Sequence, residues 1–201
     1  MSNMLTDRLP DTVSIDGSLF EIVTDFRPWI EFEEMLMQPD LPPEVIVREA
    51  VDNLYVNPPE DTHRFTNVLF KHLIWFYRCG NPEKEEQPSE SGLFLRAYDF
   101  EQDAPMIVAA FQQAYGIDLT VTRMHWWKFR ALFEALPDDC RICKIIEYRT
   151  ADTSDMPENT KALYEKMKAK YQLELPGDRR YKKRTVEEHN ADFIRRLRRG
   201  E

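Results

Sequence analysis

Cys140 and Cys143 have the spacing of redox and metal motifs, and they are the residues of this chain that most resemble a reactive site. A cysteine at the start of a helix has a lowered pKa, because the helix dipole favours its thiolate, and this would activate Cys140. A thioredoxin-type site also needs a βαβ unit, which is not predicted around this pair. A tetrahedral zinc site needs four ligands, and Cys79 has no cysteine near it in sequence. The pattern leaves a thiol redox protein as a weaker alternative and predicts no metal site.

The other polar residues form no recognisable catalytic pattern. The sequence has no nucleophile elbow, no glycine-rich dinucleotide fingerprint and no P-loop. Carboxylate pairs such as Glu33-Glu34 and Glu187-Glu188 are typical of solvated helix faces. Four scattered histidines are better interpreted as single hydrogen-bonded residues than as ligands: His63, His72, His125 and His189. The sequence therefore predicts a protein that is not an enzyme, with no catalytic residue and no cofactor.

The C-terminal end of the chain is basic, in contrast to the rest. Residues 178–201 contain nine Arg or Lys and five Asp or Glu, so they carry +4 in a chain of net charge −9. This arm could fold against its own acidic body, bind an acidic protein surface or bind phosphates. The predicted partner-binding residues are its first basic cluster and the apolar contacts of a last helix over 186–199: Arg179, Arg180, Lys182, Lys183, Arg184, Phe193, Ile194 and Leu197.

Composition places the chain among globular proteins of the cytosol. Its 201 residues are 42% hydrophobic and 12% aromatic, enough for one domain with a core and tails. The acidic balance argues against general affinity for nucleic acid. The longest apolar-rich run, residues 68–77, includes Lys71 and His72 and is too short to span a membrane. We find no signal peptide, and an odd number of cysteines indicates reduced thiols.

Hydrophobic periodicity predicts a mainly α fold, with a compact helical domain over 1–150 and an extended basic helical arm over 151–201. Residues 12–23 form a β-hairpin whose Asp16-Gly17 turn is of type I′ and places Val13 opposite Phe20. Residues 81–92 contain no large apolar residue and form a mobile acidic loop. Helices are predicted from about Thr24 or Asp25 to residue 37, and over residues 43–55, 62–78, 103–115, 120–136, 139–149, 157–171 and 186–199.

The stretch 120–136 is predicted to be the central helix of the domain. On a helix at about 100° per residue, apolar side chains fall on two opposite sides of it, with Met124 and Ala131 on one and Phe133 on the other. Such a helix cannot lie flat on a surface and is expected to be surrounded by protein. The predicted structural core consists of aromatic residues of this and two other helices: Trp126, Trp127, Phe129, Phe133, Trp75 and Trp29.

Several segments together resemble the "gene product fifteen" family of tailed bacteriophages and prophages. The resemblance covers about residues 5–150 and is most specific in the tryptophan-rich block 125–134. The other segments that carry it are LTDRLP at 5–10, DFR with Trp29 and Phe32-Glu33 at 25–33, WFYRCG at 75–80, DAP at 103–105 and YGIDL at 115–119. The basic arm has no counterpart in this resemblance.

The resemblance implies a role in building the phage tail. Members of this family are encoded in the tail module, next to the gene for the tape-measure protein, a place typically held by tail assembly chaperones. It implies a non-enzymatic protein of the host bacterial cytoplasm that binds the tape-measure protein or other tail proteins by helix-in-groove recognition, with self-association as a further expectation. An alternative left open is a nucleic-acid-binding or packaging accessory that acts through the basic arm.

Overall fold

The computed structural model describes residues 4–58, 62–82 and 96–174, and of residues 62–65 it describes the backbone. The described part is mainly α-helical with an N-terminal antiparallel hairpin, as the sequence predicts. The predicted acidic loop lies largely outside the described residues, and the last predicted helix lies entirely outside them. The elements are β1 Thr12–Ile15, β2 Ser18–Glu21, α1 Phe26–Leu36, α2 Pro43–Leu54, α3 Thr62–Tyr77, α4 Ala104–Tyr115, α5 Trp126–Glu134, α6 Arg141–Thr150 and α7 Glu158–Lys170.

The chain forms two compact units, and each of them is discontinuous in sequence. Unit 1 consists of Met1–Glu85 together with Arg123–Glu134, and unit 2 consists of Glu86–Thr122 together with Ala135–Glu201. The helix α5 thus belongs to the unit formed by β1, β2 and the first three helices. The predicted boundary between a body ending at residue 150 and an arm stays a prediction.

The hairpin of unit 1 has the predicted turn and register. Asp16 and Gly17 have positive φ values of 50° and 82°, and Val13 pairs with Phe20. Val13 and Ile15 are buried on the inner face. The second strand continues into a bridge between Ile22 and the residue after α2, Tyr55, so the hairpin is tied to the helices that cover it.

Trp29 lies at the centre of the core of unit 1. Asp25 caps α1 by accepting a hydrogen bond from the backbone of Arg27, which orients the first turn so that Trp29 points inward. Its indole stacks on Phe76 with ring centroids 4.7 Å apart, and its Nε1 donates to the carbonyl of Val23 at 2.7 Å. Both the apolar ring and the polar N–H of this buried tryptophan are therefore satisfied.

The helix α5 begins at Trp126, six residues later than predicted. A short antiparallel bridge joins Asp25 to His125, and the amide of Trp126 donates to the carbonyl of Thr24 at 2.7 Å. These pairs hold the chain extended up to His125, so the helix cannot start earlier. The burial expected on two sides is found only at the start of the helix, where Trp126 and Trp127 are both buried, because Ala131 further along is exposed.

His125 caps α5 with its imidazole. The amide of Trp127 donates to Nδ1 at 3.1 Å, so the ring hydrogen lies on Nε2, which donates to the carbonyl of Pro10 at 2.9 Å. Burial lowers the pKa of His125, although the hydrogen bond to Pro10 and the charge of Asp11 act in the opposite direction. The neutral ring therefore joins the N-terminal segment to α5, and a second proton would remove the acceptor that Trp127 needs.

This arrangement predicts a pH dependence of stability that one substitution removes. The pKa of His125 is lowered in the folded state, so the unfolded chain binds more protons, and the stabilisation is complete above about 6.5 and lost as pH falls. Asn at position 125 keeps a capping acceptor without titrating. We expect the free energy of unfolding, measured by urea denaturation from pH 7.5 to 5, to fall less steeply in His125→Asn than in wild type. Parallel curves for the two proteins would contradict the role of the neutral ring.

The buried guanidinium of Arg149 joins several segments of unit 2 through hydrogen bonds. Arg149 on α6 makes two hydrogen bonds to Asp103, from Nη1 at 2.6 Å and Nη2 at 3.0 Å, and both side chains are buried. The same guanidinium donates through Nε to the carbonyl of Tyr171 at 2.7 Å and through Nη1 to that of Ala97 at 3.2 Å. It therefore joins the start of α4, the segment before it and the end of α7.

The helix ends of unit 2 follow local sequence signals. Gly116 ends α4 with φ of 68°, and the amides of Gly116 and Ile117 donate to the carbonyls of Gln112 and Phe111. The bond from Gly116 to the fourth residue back is that of the αL motif, in which a left-handed residue satisfies one of the last carbonyls of the helix. The helix α7 packs on α6, where Tyr164 lies edge-on to Tyr148 with centroids 5.2 Å apart.

Replacing one partner of the buried ion pair is expected to lower the free energy of unfolding more than replacing both partners. Arg149→Met leaves the carboxylate of Asp103 buried without a counterion, and we expect a loss of about 3–5 kcal/mol in the free energy of unfolding. The double variant Asp103→Asn/Arg149→Met has no uncompensated charge, so it should recover part of that loss. Urea denaturation of the wild type, the single variant and the double variant measures the loss of stability and its recovery. A double variant as unstable as Arg149→Met would show that the charge is not the cause.

Candidate interaction surface

Two tryptophans of α5 cap the C-terminal end of α3. The indole Nε1 of Trp126 donates to the carbonyl of Tyr77, and that of Trp127 donates to the carbonyl of Phe76, each at 2.8 Å. Carbonyl groups in the last turn of a helix have no partner within the helix, so these two donors replace water there. Both tryptophans are at most 1% exposed. They position the end of α3 as well as filling the core.

The turn after α3 is a Schellman motif with an unusual residue in it. The amide of Gly80 donates to the carbonyl of Trp75 and that of Cys79 to the carbonyl of Phe76. The left-handed position that usually holds glycine is occupied by Cys79, with φ of 55°, and Gly80 follows it with φ of 75°. A Cβ at Gly80 would lie 3.0 Å from Cη2 of Trp127. A glycine is therefore needed at position 80 for two reasons: it lets the ring of Trp127 approach the backbone, and it adopts a positive φ.

Trp75 is not the core residue that the sequence predicts. Its side chain is 38% exposed, whereas Leu69 and Leu73 on the opposite side of α3 are fully buried. The inner edge of its ring contacts Trp127 edge-on, with centroids 5.6 Å apart. The helix α3 carries more apolar side chains than the core can bury, and Trp75 lies at the edge of the buried area.

Trp75 belongs to an outward stripe of α3 that we call the α3 face, defined by Val68, Lys71, His72, Trp75 and Arg78. At about 100° per residue these positions fall within one side of the helix. Val68 is 43% exposed, and Lys71 is also exposed. Burial and the charge of Lys71 lower the pKa of His72, which is therefore neutral at pH 7.

The segment around the α3 face contains no acidic residue. Residues 62–82 have three Arg or Lys and no Asp or Glu, although 36 of the 201 residues in the chain are acidic. A stretch of 21 residues with average composition would contain about four acidic residues. The helix α3 is thus basic and apolar in its own sequence, while acidic residues flank it at positions 60, 61, 83, 85 and 86.

A groove of about 360 Å³ adjoins the α3 face where α3 ends. Arg130 lies beside it, paired with Glu134 at 2.9 Å and with its guanidinium over the ring of Trp126 at 5.6 Å. The buried carboxylate of Glu33 accepts a hydrogen bond from the hydroxyl of Tyr77 at 2.7 Å. These polar groups are paired with one another, which is typical of a structural cluster. The groove is lined by Met4, Tyr77, Arg78, Cys79, Gly80, Asn81, Trp127, Arg130, Ala131 and Glu134.

The three thiols are unpaired, and two of them are poorly suited to nucleophilic chemistry. Burial raises the pKa of Cys79 to about 11, in spite of nearby Arg130. Burial, with a hydrogen bond and charge interaction involving Cys140, raises the pKa of Cys143 to about 12. A reactive cysteine needs a lowered pKa, so this environment does not favour the thiol redox alternative. Within the described residues, no three His, Cys, Asp or Glu side chains group as metal ligands.

The other residues predicted for the site fall into two sets. Trp29, Trp126, Trp127, Phe129 and Phe133 lie in the interior of unit 1. The predicted partner-binding residues of the arm, Arg179 to Arg184 and Phe193 to Leu197, lie outside the described residues and stay predictions. The sequence-based predictions did not include the α3 face. The absence of Asp and Glu from residues 62–82 was the signal that could have indicated it.

The fold and this surface define a small, mainly α protein with a partly exposed apolar helix face. The family model described as Bacteriophage Gp15 protein matches residues 5–173, and the chain belongs to that family. Comparisons with curated proteins and with solved structures gave no match. The family consists of structural phage proteins and is not a known enzyme family, which supports a structural or assembly-related role in a bacteriophage. Of the helices that the structure describes, none is long and apolar enough to cross a membrane.

Gly80 offers a test of how tightly the end of α3 is held. Gly80→Ala introduces strain at positive φ, about 1 kcal/mol, and adds a clash with Trp127 worth about 1–3 kcal/mol. Gly116→Ala is the matched control, because Gly116 also has positive φ at a helix end but nothing lies within 4 Å of its added Cβ. Thermal or urea unfolding should show a larger loss for Gly80→Ala. Equal losses would mean that the contact with Trp127 is unimportant.

Proposed function

We propose that this protein is a non-enzymatic tail assembly protein that acts as a chaperone for the phage tape-measure protein in the host bacterial cytoplasm. The observation that carries the proposal is membership of the Gp15 family over residues 5–173. In this proposal the tape-measure protein is long and hydrophobic, and it must be kept from aggregating until the tail tube polymerises around it. An assembly factor for such a protein needs a soluble body and an exposed surface that binds helices.

The physical character of the chain suits this role. A net charge of −9 keeps a complex with an apolar partner dispersed, because like-charged particles repel. The α3 face offers exposed apolar side chains on a rigid helix, and amphipathic helices are recognised by laying their apolar side on such a surface. The partners we propose are the tape-measure protein or other tail proteins. The basic arm of residues 178–201 would add contacts to acidic segments of the partner.

The proposal is tested by co-expression with the tape-measure protein of the same phage. We expect the soluble fraction of the tape-measure protein, measured after centrifugation of the lysate, to rise several-fold when this chain is present. The two proteins should then elute together from a size-exclusion column. A truncated chain ending at residue 177 measures the contribution of the arm separately.

The control is an unrelated acidic helical protein of similar size, expressed at the same level. It should leave the tape-measure protein insoluble, because charge and helix content alone are not expected to suffice. If the tape-measure protein is equally insoluble with and without this chain, the chaperone function is wrong. If both proteins rescue it equally, the effect is not specific and the proposal is also wrong.

A further inference from the structure

We propose that Cys140 and Cys143 form a reversible disulfide that closes the first turn of α6 when the protein meets a peroxide. The inference concerns a modification site within the chain, and it does not depend on the proposed assembly function. It also differs from a thiol redox enzyme, because the thiols that are oxidised are those of the protein itself.

The backbone places the two sulfur atoms on the same helical turn. Cys140 is the N-cap of α6, with φ of −67° and ψ of 152°, and Cys143 is the third residue of the helix. An N-cap side chain points over the first turn toward this third position, where Ser, Thr or Asp accepts a hydrogen bond from the amide. In α6, which lies wholly within the described residues, Cys140 makes no capping hydrogen bond, and its sulfur is within hydrogen-bonding reach of the thiol of Cys143.

The spacing of the two residues suits a disulfide. Two Cα atoms three residues apart on a helix are separated by about 5 Å, and disulfides join Cα atoms about 4.4–6.8 Å apart. The bond therefore needs a rotation of the two side chains and little movement of the backbone. The sequence predicts a helix from residue 139, with Cys140 inside its first turn, whereas the structure places Cys140 at the cap.

The surroundings give the two thiols different roles. Burial, the hydrogen bond to Cys140 and the charges of Cys140, Asp138 and Asp139 raise the pKa of Cys143 to about 12, so Cys143 keeps its proton. The positive end of the α6 dipole favours a negative charge at the cap, so Cys140 is the sulfur that reacts first. Cys140 is 8% exposed and Tyr115 of α4 lies near both thiols, so the oxidant must be small.

The reaction with hydrogen peroxide proceeds in two steps. The thiolate of Cys140 attacks one peroxide oxygen, the O–O bond breaks, hydroxide leaves, and the sulfur becomes a sulfenic acid. The sulfur of Cys143 then attacks the sulfur of Cys140, the S–O bond breaks, and the hydroxyl group leaves as water with the proton of Cys143. In sum, two thiols and one peroxide give one disulfide and two molecules of water, and a dithiol reductant reverses the change by exchange.

The test exposes the folded full chain to hydrogen peroxide and counts the thiols that remain. The peroxide is then removed, the chain is unfolded and labelled with iodoacetamide, and mass spectrometry gives the number of labels. The reduced wild type has three free cysteines and should take three labels. We expect the oxidised wild type to take one label, located on Cys79 by peptide mapping, and treatment with dithiothreitol to restore all three.

Serine variants separate the pair from the third cysteine. Cys79→Ser is the matched control, because Cys79 follows α3 in unit 1, and it should form the disulfide at the wild-type rate. Cys143→Ser leaves Cys140 without a partner, so its sulfenic acid should accumulate and be trapped by dimedone. Cys140→Ser lacks the attacking sulfur, so the remaining thiol of the pair should react roughly tenfold more slowly.

A second measurement connects the disulfide to the fold. The oxidised wild type should unfold at a higher urea concentration than the reduced wild type, because the bond closes the first turn of the helix that carries Arg149. Three results would overturn the proposal. These are three labels after oxidation, a disulfide that involves Cys79, and a lower urea midpoint for the oxidised protein, which would mean that the bond strains α6.

Discussion

Two indole N–H groups bonded to the last carbonyls of α3 are the interaction on which unit 1 depends. Trp126 and Trp127 come from a helix that is far from α3 in sequence. Trp126 donates to the carbonyl of Tyr77, and Trp127 adds a second donor to the carbonyl of Phe76, which also accepts from the amide of Cys79. A buried indole N–H that loses its acceptor costs about 1–3 kcal/mol, so these bonds limit the relative positions of the two helices. The aromatic rings then fill the space around Trp29, and the positions of Gly80 and Trp75 follow from this arrangement.

Features that depend on neighbours in sequence could be predicted. The Asp16-Gly17 turn fixed the hairpin register, because only a primed turn matches the twist of the two strands. Asp25 caps α1 with a short polar side chain that directly precedes an apolar helix, and Gly116 ends α4 with a positive φ that suits glycine. The fold class and the ends of most helices follow from signals of this kind.

Features that depend on distant residues could not be predicted. The start of α5 is set by the pairing of His125 with Asp25, which helical periodicity does not contain. The burial of Arg149 against Asp103 joins residues 46 positions apart, and nothing in either local sequence marks them as partners. The exposure of Trp75 depends on which side of α3 meets the core, and this helix has apolar residues on more than one side. The candidate surface was missed for that reason, although the lack of Asp and Glu within residues 62–82 was visible in the sequence.

The discontinuity of unit 1 has a consequence for synthesis on the ribosome. Its hairpin and first three helices emerge early, but the helix that caps α3 is encoded after α4, which belongs to unit 2. The nascent chain must therefore wait, with the aromatic side of α1 and α3 incompletely covered, until residue 134 has left the exit tunnel. Translation speed between residues 86 and 134 thus governs how long that apolar surface is open to aggregation or to host folding factors.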